Sequence, residues 1–131
     1  MERVDKILAH PEFQVYMRRI REQERTRVFC LHGIEHSLDV ARIGYIKNLE
    51  QGLSFRQDVI YAMALLHDIG KIAIPDRILN KAGRLTDEEY DVMKSHVIRG
   101  AEILKNFTFI EHVDEGALYH HERYDGRGYV N

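Results

Sequence analysis

The sequence has few residues that cross-link or interrupt a chain. It contains one cysteine and two prolines in 131 residues, and its most apolar run covers only residues 62–66. A single cysteine excludes an internal disulfide, so we expect a reducing cytoplasm, and Cys30 is predicted to be a core residue rather than a nucleophile. The apolar run is far too short to cross a bilayer. No signal peptide is expected at the start of the chain.

The charge balance also excludes a class of partner. The formal net charge is -2, and the chain is 44% hydrophobic and 31% charged. This composition is typical of a globular protein of one domain, with neither a membrane nor a large nucleic acid as partner, since general nucleic-acid binders are usually strongly basic. A small anionic ligand remains compatible with it, because a bound metal supplies its own positive charge.

Helical periodicity dominates the sequence, and no strand pattern is convincing. The predicted class is all-α, with about five to seven helices over residues 1–9, 12–25, 34–50, 54–66, 76–80, 86–106 and 110–124. Helix 54–66, with Ser54 as its N-cap, is apolar almost all round and should be the central buried helix. Thr86 and Glu89 form a capping-box pattern. The charge-rich run 18–25 is predicted to be a solvated face.

The most informative content is histidine, of which there are eight. His67 and Asp68 follow the buried helix directly. Neighbouring side chains on a helix point about 100° apart, so the pair either meets one metal where the helix loosens or serves two neighbouring metals bridged by the carboxylate. Alone, such a pair is more often a helix C-cap.

Other histidines make the metal interpretation much stronger. His32 and His36 lie four residues apart, which puts them on one helical face. Three or four separate helices would then each offer imidazoles to one site, as helical bundles do. The predicted ligands are His36, His67, Asp68, His96, His120 and His121, with His32 less certain.

The donor set also indicates which metals and which ligand. Imidazole and carboxylate suit Fe, Mn, Zn, Co or Ni, and the lack of thiolates disfavours a structural zinc site. Lys71, three residues after Asp68, is predicted to contact a substrate phosphate through its ammonium group. Arg127, in a glycine-flanked loop, is a weaker phosphate candidate. His10 and His112 match nothing and are expected at the surface.

The ordered string of these residues resembles the HD superfamily of metal-dependent phosphohydrolases. The resemblance covers roughly residues 31–131, and the HD-GYP branch, known for hydrolysing cyclic di-GMP, is the most similar. It is carried by residues 67–76 (HDIGKIAIPD), 81–86 (KAGRLT) and 120–129 (HHERYDGRGY). It implies one HD-type helical domain over 1–131, with N-terminal helices in 1–30 and two divalent metals bridged by Asp68. His32 falls where some members have a glutamate that binds a third metal, which the resemblance leaves open.

The sequence departs from the family pattern in three places. The third residue of the GYP signature is Val130 rather than proline, so the loop lacks a fixed φ. The family continues beyond position 131 through helices, one of which supplies a last aspartate ligand, and Asp114 and Asp125 are the only nearby acids worth testing in its place. Residues 29–50 look more like small stand-alone HD proteins.

These observations support three hypotheses about function. The first is a phosphodiesterase acting on a cyclic dinucleotide such as cyclic di-GMP, with Asp68 and Lys71 in catalytic roles. The second is a weak or inactive module that binds metal or nucleotide and serves in signalling. The third is a phosphomonoesterase acting on a nucleotide, since short HD proteins often have such substrates.

Overall fold

The architecture is helical throughout the part of the chain that the computed structural model describes, residues 1–27 and 31–130. The α-helices are α1 (Glu2–Ala9), α2 (Pro11–Gln23), α3 (Ile34–Glu50), α4 (Gln57–Leu66), α5 (Asp76–Leu79), α6 (Asp87–Lys94), α7 (His96–Leu104) and α8 (Val113–Tyr119), and a 3-10 helix covers Ile69–Ala73. No strand occurs in these ranges. The predicted all-α class is therefore confirmed, whereas the prediction for Cys30 lies outside the described residues.

Helix α4 lies at the centre of the main hydrophobic core, as its composition predicts. Leu66 is fully buried and Leu65 nearly so. Both belong to one cluster with buried side chains from α1, α2, α7 and α8, among them Ile7, Phe13, Leu104 and Ala117. Burying each such side chain stabilises the fold by about 1.5–3 kcal/mol, so α4 is a firm support for the residues that follow it.

Two predicted helix starts are wrong. Helix α4 begins at Gln57, and its N-cap is Arg56 rather than Ser54. The chain before it is held instead by Asn48, whose side-chain amide bonds both the N–H and the C=O of Phe55. Helix α8 begins at Val113 rather than near residue 110, because His112 has a positive φ of 60°, which interrupts a right-handed helix.

The long helix predicted over 86–106 is divided into two. Its start is confirmed, since Thr86 and Glu89 exchange both bonds of the capping box, at 3.2 and 2.9 Å. Helix α6 ends at Lys94, and the Ser95 hydroxyl donates to the C=O of Val92 at 2.6 Å. A serine that bonds a preceding carbonyl in this way competes with the helical hydrogen-bond ladder. Helix α7 therefore starts afresh at His96.

Helix α3 buries a somewhat different face from the one its apolar pattern predicts. Ala41 is fully buried as expected, but Leu49 is 61% exposed and the amide of Asn48 is buried in its place. Asn48 can be buried because its hydrogen bonds are made.

Gly70 brings the 3-10 helix and α7 into backbone contact. A Cβ atom at this position would lie 1.8 Å from the C=O oxygen of His96 and 2.5 Å from the N of Gly100. Only glycine permits such an approach. Because Asp68 lies only two residues before Gly70, this backbone contact also places Asp68 beside His96. Within residues 1–27 and 31–130, no helix is both long and apolar enough to cross a membrane.

Candidate metal centre

Asp68 lies at the centre of the candidate site, at the junction between α4 and the 3-10 helix. It is 7% exposed. Its Oδ2 lies 3.1 Å from His67 Nε2 and 2.9 Å from Lys71 Nζ. Its Oδ1 lies 3.4 Å from His96 Nε2 and 3.5 Å from His120 Nε2. The two oxygens of one carboxylate thus face two different sets of side chains.

The two sets are groups of possible metal ligands that share Asp68. One consists of Asp68, His96, His120 and His121, and the other of His36, His67 and Asp68. Within each group the candidate ligand atoms all lie within 4.8 Å of one another. The structure therefore brings together six of the seven residues predicted as ligands, from α3, the end of α4, the start of α7 and the end of α8.

Three of the imidazoles are oriented in the same way. In each of them, Nδ1 faces the backbone C=O of the residue three positions earlier. The distances are 2.7 Å from His67 to Ala64, 2.7 Å from His96 to Met93 and 2.8 Å from His120 to Ala117. A carbonyl oxygen only accepts, so Nδ1 carries the proton and donates. Nε2 of each ring is then left with a lone pair directed at the site, which is the arrangement found in protein metal centres.

The environment favours an ionised Asp68 and neutral imidazoles at His96 and His121. Burial alone would raise the pKa of Asp68, but the neighbouring His120 and His67, together with the charge of Lys71, hold this pKa well below its usual range. Burial lowers the pKa of His96 to about 4. Burial and the neighbouring His120 lower the pKa of His121 to about 4. These are the protonation states that a metal requires of its ligands.

One orphaned atom fits the metal interpretation directly. Asp68 Oδ1 is buried and has no hydrogen-bond partner among the described residues. A buried carboxylate oxygen without a partner costs about 1–3 kcal/mol or more. A divalent cation between this oxygen and the Nε2 atoms of His96 and His120 would satisfy it. The residues present therefore fit a metal.

Lys71 is close to this centre, whereas no contact of Arg127 with it is found among residues 1–27 and 31–130. The Lys71 ammonium is mostly buried and lies 2.9 Å from Asp68 Oδ2. The backbone N–H of Arg127 donates to Asp125 in an exposed loop. Its role in substrate binding stays a prediction.

The other candidate ligands lie outside the two groups. His32 packs edge-on against His36, but its backbone N–H and its Nδ1 both contact Glu24. Asp125 pairs with Arg123 at 2.8 Å. Asp114 is likewise in neither group. The proposal of a third metal at His32 remains untested.

The predictions for two further histidines have mixed outcomes. His112 is exposed, as expected, and pairs with Glu115. His10 is half-buried instead, packed against Phe107 with its Nδ1 shielded from solvent. Its position between α1 and α2, which both pack into the core, explains the difference.

Glu24 is a buried residue beside the candidate ligand His32 that the sequence analysis misses. Run 18–25 is mostly exposed as predicted, but Glu24, just after α2, is 7% exposed. It accepts a hydrogen bond from the backbone N–H of His32 at 2.7 Å and pairs with Arg27 at 3.5 Å. Its spacing could have predicted this burial, since Glu24 continues the series of buried residues Phe13, Met17 and Ile20 at steps of three and four.

Tyr129 is the second residue missed, although the motif contains it. Its ring stacks on His121, with centroids 4.2 Å apart and an interplanar angle of 21°, and meets His96 edge-on at 6.1 Å. The hydroxyl groups of Tyr129 and Tyr90 are hydrogen-bonded, with their oxygens 3.4 Å apart. Burial and this neighbour raise the pKa of Tyr129 to about 12. Tyr129 thereby fixes the plane of a predicted ligand.

The substitution of valine for proline at position 130 has a structural counterpart. The backbone N–H of Val130 donates to Glu122 Oε1 at 2.8 Å, a bond that proline cannot make. Gly128 packs on the same carboxylate, because a Cβ there would lie 2.3 Å from Glu122 Oε2. The loop that carries Tyr129 is thus closed by Glu122.

Comparison with known proteins identifies the family to which this geometry belongs. The family model described as HD domain matches residues 33–129, most of the chain and all the predicted ligands except the less certain His32. The chain belongs to the HD domain family. The predicted relationship to the HD superfamily of metal-dependent phosphohydrolases, near its HD-GYP branch, is confirmed.

Several relatives align with most of this HD chain. An uncharacterized protein of Clostridium beijerinckii is 34% identical over 131 residues, which cover 94% of this chain and 74% of the relative. A cyclic di-GMP phosphodiesterase response regulator of Xanthomonas campestris is 42% identical over 86% of this chain and 33% of its own length. A 3′3′-cGAMP-specific phosphodiesterase 2 of Vibrio cholerae is 36% identical over 83% of this chain and 21% of its own length. This HD chain therefore spans a third or less of these two phosphodiesterases.

Proposed function

We propose that the protein is a metal-dependent phosphodiesterase that acts on a cyclic dinucleotide such as cyclic di-GMP. The observation that carries this proposal is a single buried carboxylate, Asp68, shared by two histidine groups, with the Lys71 ammonium 2.9 Å from one of its oxygens. Paired cations with a nearby fixed positive charge suit in-line displacement at phosphorus.

The residues of the chain would divide the work as follows. His96, His120 and His121 would hold one metal and His36 and His67 a second, with Asp68 as ligand to both. When bound, such metals supply Lewis acidity to the phosphate oxygens and lower the pKa of the attacking water. The metals are proposed to be Fe or Mn, with Zn, Ni and Co as alternatives, because imidazole and carboxylate donors suit all of them.

Lys71 would act on the substrate rather than on the metals. In the described structure its ammonium offsets the charge of Asp68. With cations on that carboxylate, the pairing is no longer needed, and the ammonium can bind a phosphate oxygen and offset the negative charge that develops there during displacement. Its short distance from Asp68 places it within reach of the same phosphate.

The choice of a cyclic dinucleotide rests on the relatives. The printed names include cyclic di-GMP and 3′3′-cGAMP phosphodiesterases, which supports a cyclic dinucleotide but not one particular base. The organisation as one HD-type domain and the cytoplasmic location are also proposals.

One observation favours a second candidate, a module that binds metal or nucleotide without turnover. Among the described residues the group of His36, His67 and Asp68 offers three ligands, whereas the other group offers four. A cation held by fewer protein ligands is more easily lost, which would leave binding without hydrolysis. A nucleotide phosphomonoesterase would use the same ligands and differ only in substrate.

The test is an assay of protein whose metal content has been measured. The substrates are cyclic di-GMP, 3′3′-cGAMP, the linear dinucleotide and a mononucleotide. We expect turnover of at least one cyclic dinucleotide, and a loss of about 100-fold or more in Lys71→Met, since removing one stabilising donor typically costs 10²–10³ in kcat. Lys6→Met, which changes an exposed lysine paired with Glu2, is the matched control.

The outcomes separate the candidates. Turnover of the mononucleotide alone would indicate a phosphomonoesterase. Nucleotide binding without turnover of any substrate, in protein with both metals present, would indicate the binding module and refute the proposed activity.

A further inference from the structure

An apolar groove opens beside the candidate metal centre, between α3, α4 and α8. Its volume is about 480 Å³, which lies within the usual range for small-molecule sites. Two of its lining residues, His67 and His120, are candidate metal ligands, so the groove is continuous with the centre. Away from these histidines its wall is mainly apolar, with Val40, Leu53, Phe55, Ile60, Met63 and Ala64.

Phe55 is the most exposed of these apolar side chains, and its backbone is held in place. Its side chain is 64% exposed. Its N–H donates to Asn48 Oδ1 at 3.1 Å, and its C=O accepts from Asn48 Nδ2 at 3.2 Å. Asn48 itself is buried. The buried amide of Asn48 therefore fixes the backbone of Phe55, while the aromatic ring of Phe55 stays exposed to solvent. An exposed ring does not stabilise the fold, so its exposure calls for another explanation.

The floor of the groove lies where α8 approaches α4 closely. A Cβ atom at Gly116 would lie 3.0 Å from Met63 Cγ, so a side chain there would press on Met63. Met63 and Gly116 both line the groove. A groove lined by both a flexible methionine and an exposed aromatic ring is suited to an inserted flat group, because methionine adapts its shape to what packs on it.

We propose that this groove is a subsite for a nucleobase of the substrate, with Phe55 stacking on the base. The proposal rests on the proposed phosphodiesterase function. The groove has an aromatic, apolar part and an end formed by His67 and His120, and a nucleotide has the same two parts in a flat base and a charged phosphate. Aromatic side chains stack on any base, since every base has a π-face. The subsite would therefore contribute affinity for nucleotides in general rather than choose one base.

A fluorescent variant tests base binding without relying on turnover. The sequence contains no tryptophan, so Phe55→Trp creates a single reporter that keeps the stacking surface. Metal-loaded Phe55→Trp protein would be titrated with guanosine 5′-monophosphate and with ribose 5-phosphate, which has the phosphate but no base. We expect the first to quench the fluorescence and to bind at least fivefold more tightly, the lower end of what stacking of one base contributes. Equal affinity for both ligands, or binding of neither, would overturn the proposal.

A second measurement uses kinetics and a matched control. Phe55→Ala is expected to raise the KM for cyclic di-GMP at least fivefold and to change kcat much less, because a contact with the base rather than with the reacting phosphate acts on binding. Phe109→Ala removes another exposed ring, outside the groove, and should leave KM as it is in the wild type. An unchanged KM in Phe55→Ala, or self-association of the protein through this face in place of nucleotide binding, would also overturn the proposal.

The two proposals fail in different ways. If the wild type hydrolyses no diester but Phe55→Trp still distinguishes guanosine 5′-monophosphate from ribose 5-phosphate, the subsite stands and the phosphodiesterase activity is wrong. If cyclic di-GMP is hydrolysed with the same KM by wild type and Phe55→Ala, the activity stands and the subsite is wrong.

Discussion

Replacing Gly70 by alanine should disrupt the candidate metal centre without changing any of its ligands. The added Cβ would lie 1.8 Å from the C=O oxygen of His96 and 2.5 Å from the backbone N of Gly100. Both are backbone atoms in α7, so no change of side-chain rotamer relieves the contact. Real Cβ contacts essentially never fall below 3.0 Å, so the 3-10 helix and α7 must separate by about 1.2 Å.

This separation has consequences for stability and for the site. Overpacking typically costs 1–3 kcal/mol, and because backbone must move here we expect about 3 kcal/mol. For a chain of this size that lowers the Tm by roughly 10 °C. Asp68 precedes the 3-10 helix and His96 begins α7, so their 3.4 Å distance widens as well. A misplacement of about 1 Å can cost about 100-fold in catalysis.

The assay compares Gly70→Ala with Gly83→Ala by chemical denaturation and by metal content after purification. A Cβ at Gly83 would have nothing within 4 Å, and the backbone there has no positive φ. The control should therefore match the wild type in both measurements. Wild-type stability and full metal content in Gly70→Ala would refute the inference that this backbone contact sets the geometry of the centre.

Three further predictions concern the surroundings of the centre. Val130→Pro removes the N–H that donates to Glu122 and should lower the free energy of unfolding by about 1 kcal/mol; unchanged denaturation would contradict the role of this bond. Glu24→Gln should lower the free energy of unfolding by about 1–3 kcal/mol, because the buried carboxylate has two partners, whereas the exposed Glu22→Gln should leave it almost unchanged. Equal effects of the two substitutions would contradict this role of Glu24. In metal-free protein, His96 has a folded-state pKa of about 4 against about 6.5 unfolded, so the unfolded state takes up the proton first as the pH falls. The contribution of neutral His96 to the free energy of unfolding is complete above pH 6.5 and should fall by about 2 kcal/mol by pH 5. Urea denaturation of wild type and His96→Gln at both pH values measures this difference. The same pH dependence in both proteins would contradict the prediction.

The parts of the fold that the sequence predicts well are those that depend on local chemistry. The capping box at Thr86 and the burial of the apolar helix α4 both follow from residue type and period, and both are present. The ligand residues were found because most of the eight histidines occur in short, ordered groups, beside one another or beside a carboxylate. Local pattern is sufficient where the determining atoms are close in sequence.

The parts that it does not predict depend on contacts between distant residues. The start of α4 is moved from Ser54 to Gln57 because Asn48, on α3, holds the loop before it. Glu24 looks like one more charge in a solvated run, and although its spacing continues a buried series, only its contacts with His32 and Arg27 show how a buried carboxylate is satisfied there. Tertiary hydrogen bonds of this kind leave no periodic signal in the sequence.

The metal content of the purified protein tests the central claim most directly, if it is measured by elemental analysis in the wild type and in Asp68→Asn. Two cations per chain are expected in the wild type, because Asp68 is common to both ligand groups. Asp68→Asn should lose both together while its circular dichroism stays helical, and Asp91→Asn, an exposed aspartate on α6, should retain both. A wild type without metal after loading, or an Asp68→Asn variant that keeps two cations, would contradict a centre organised around this carboxylate.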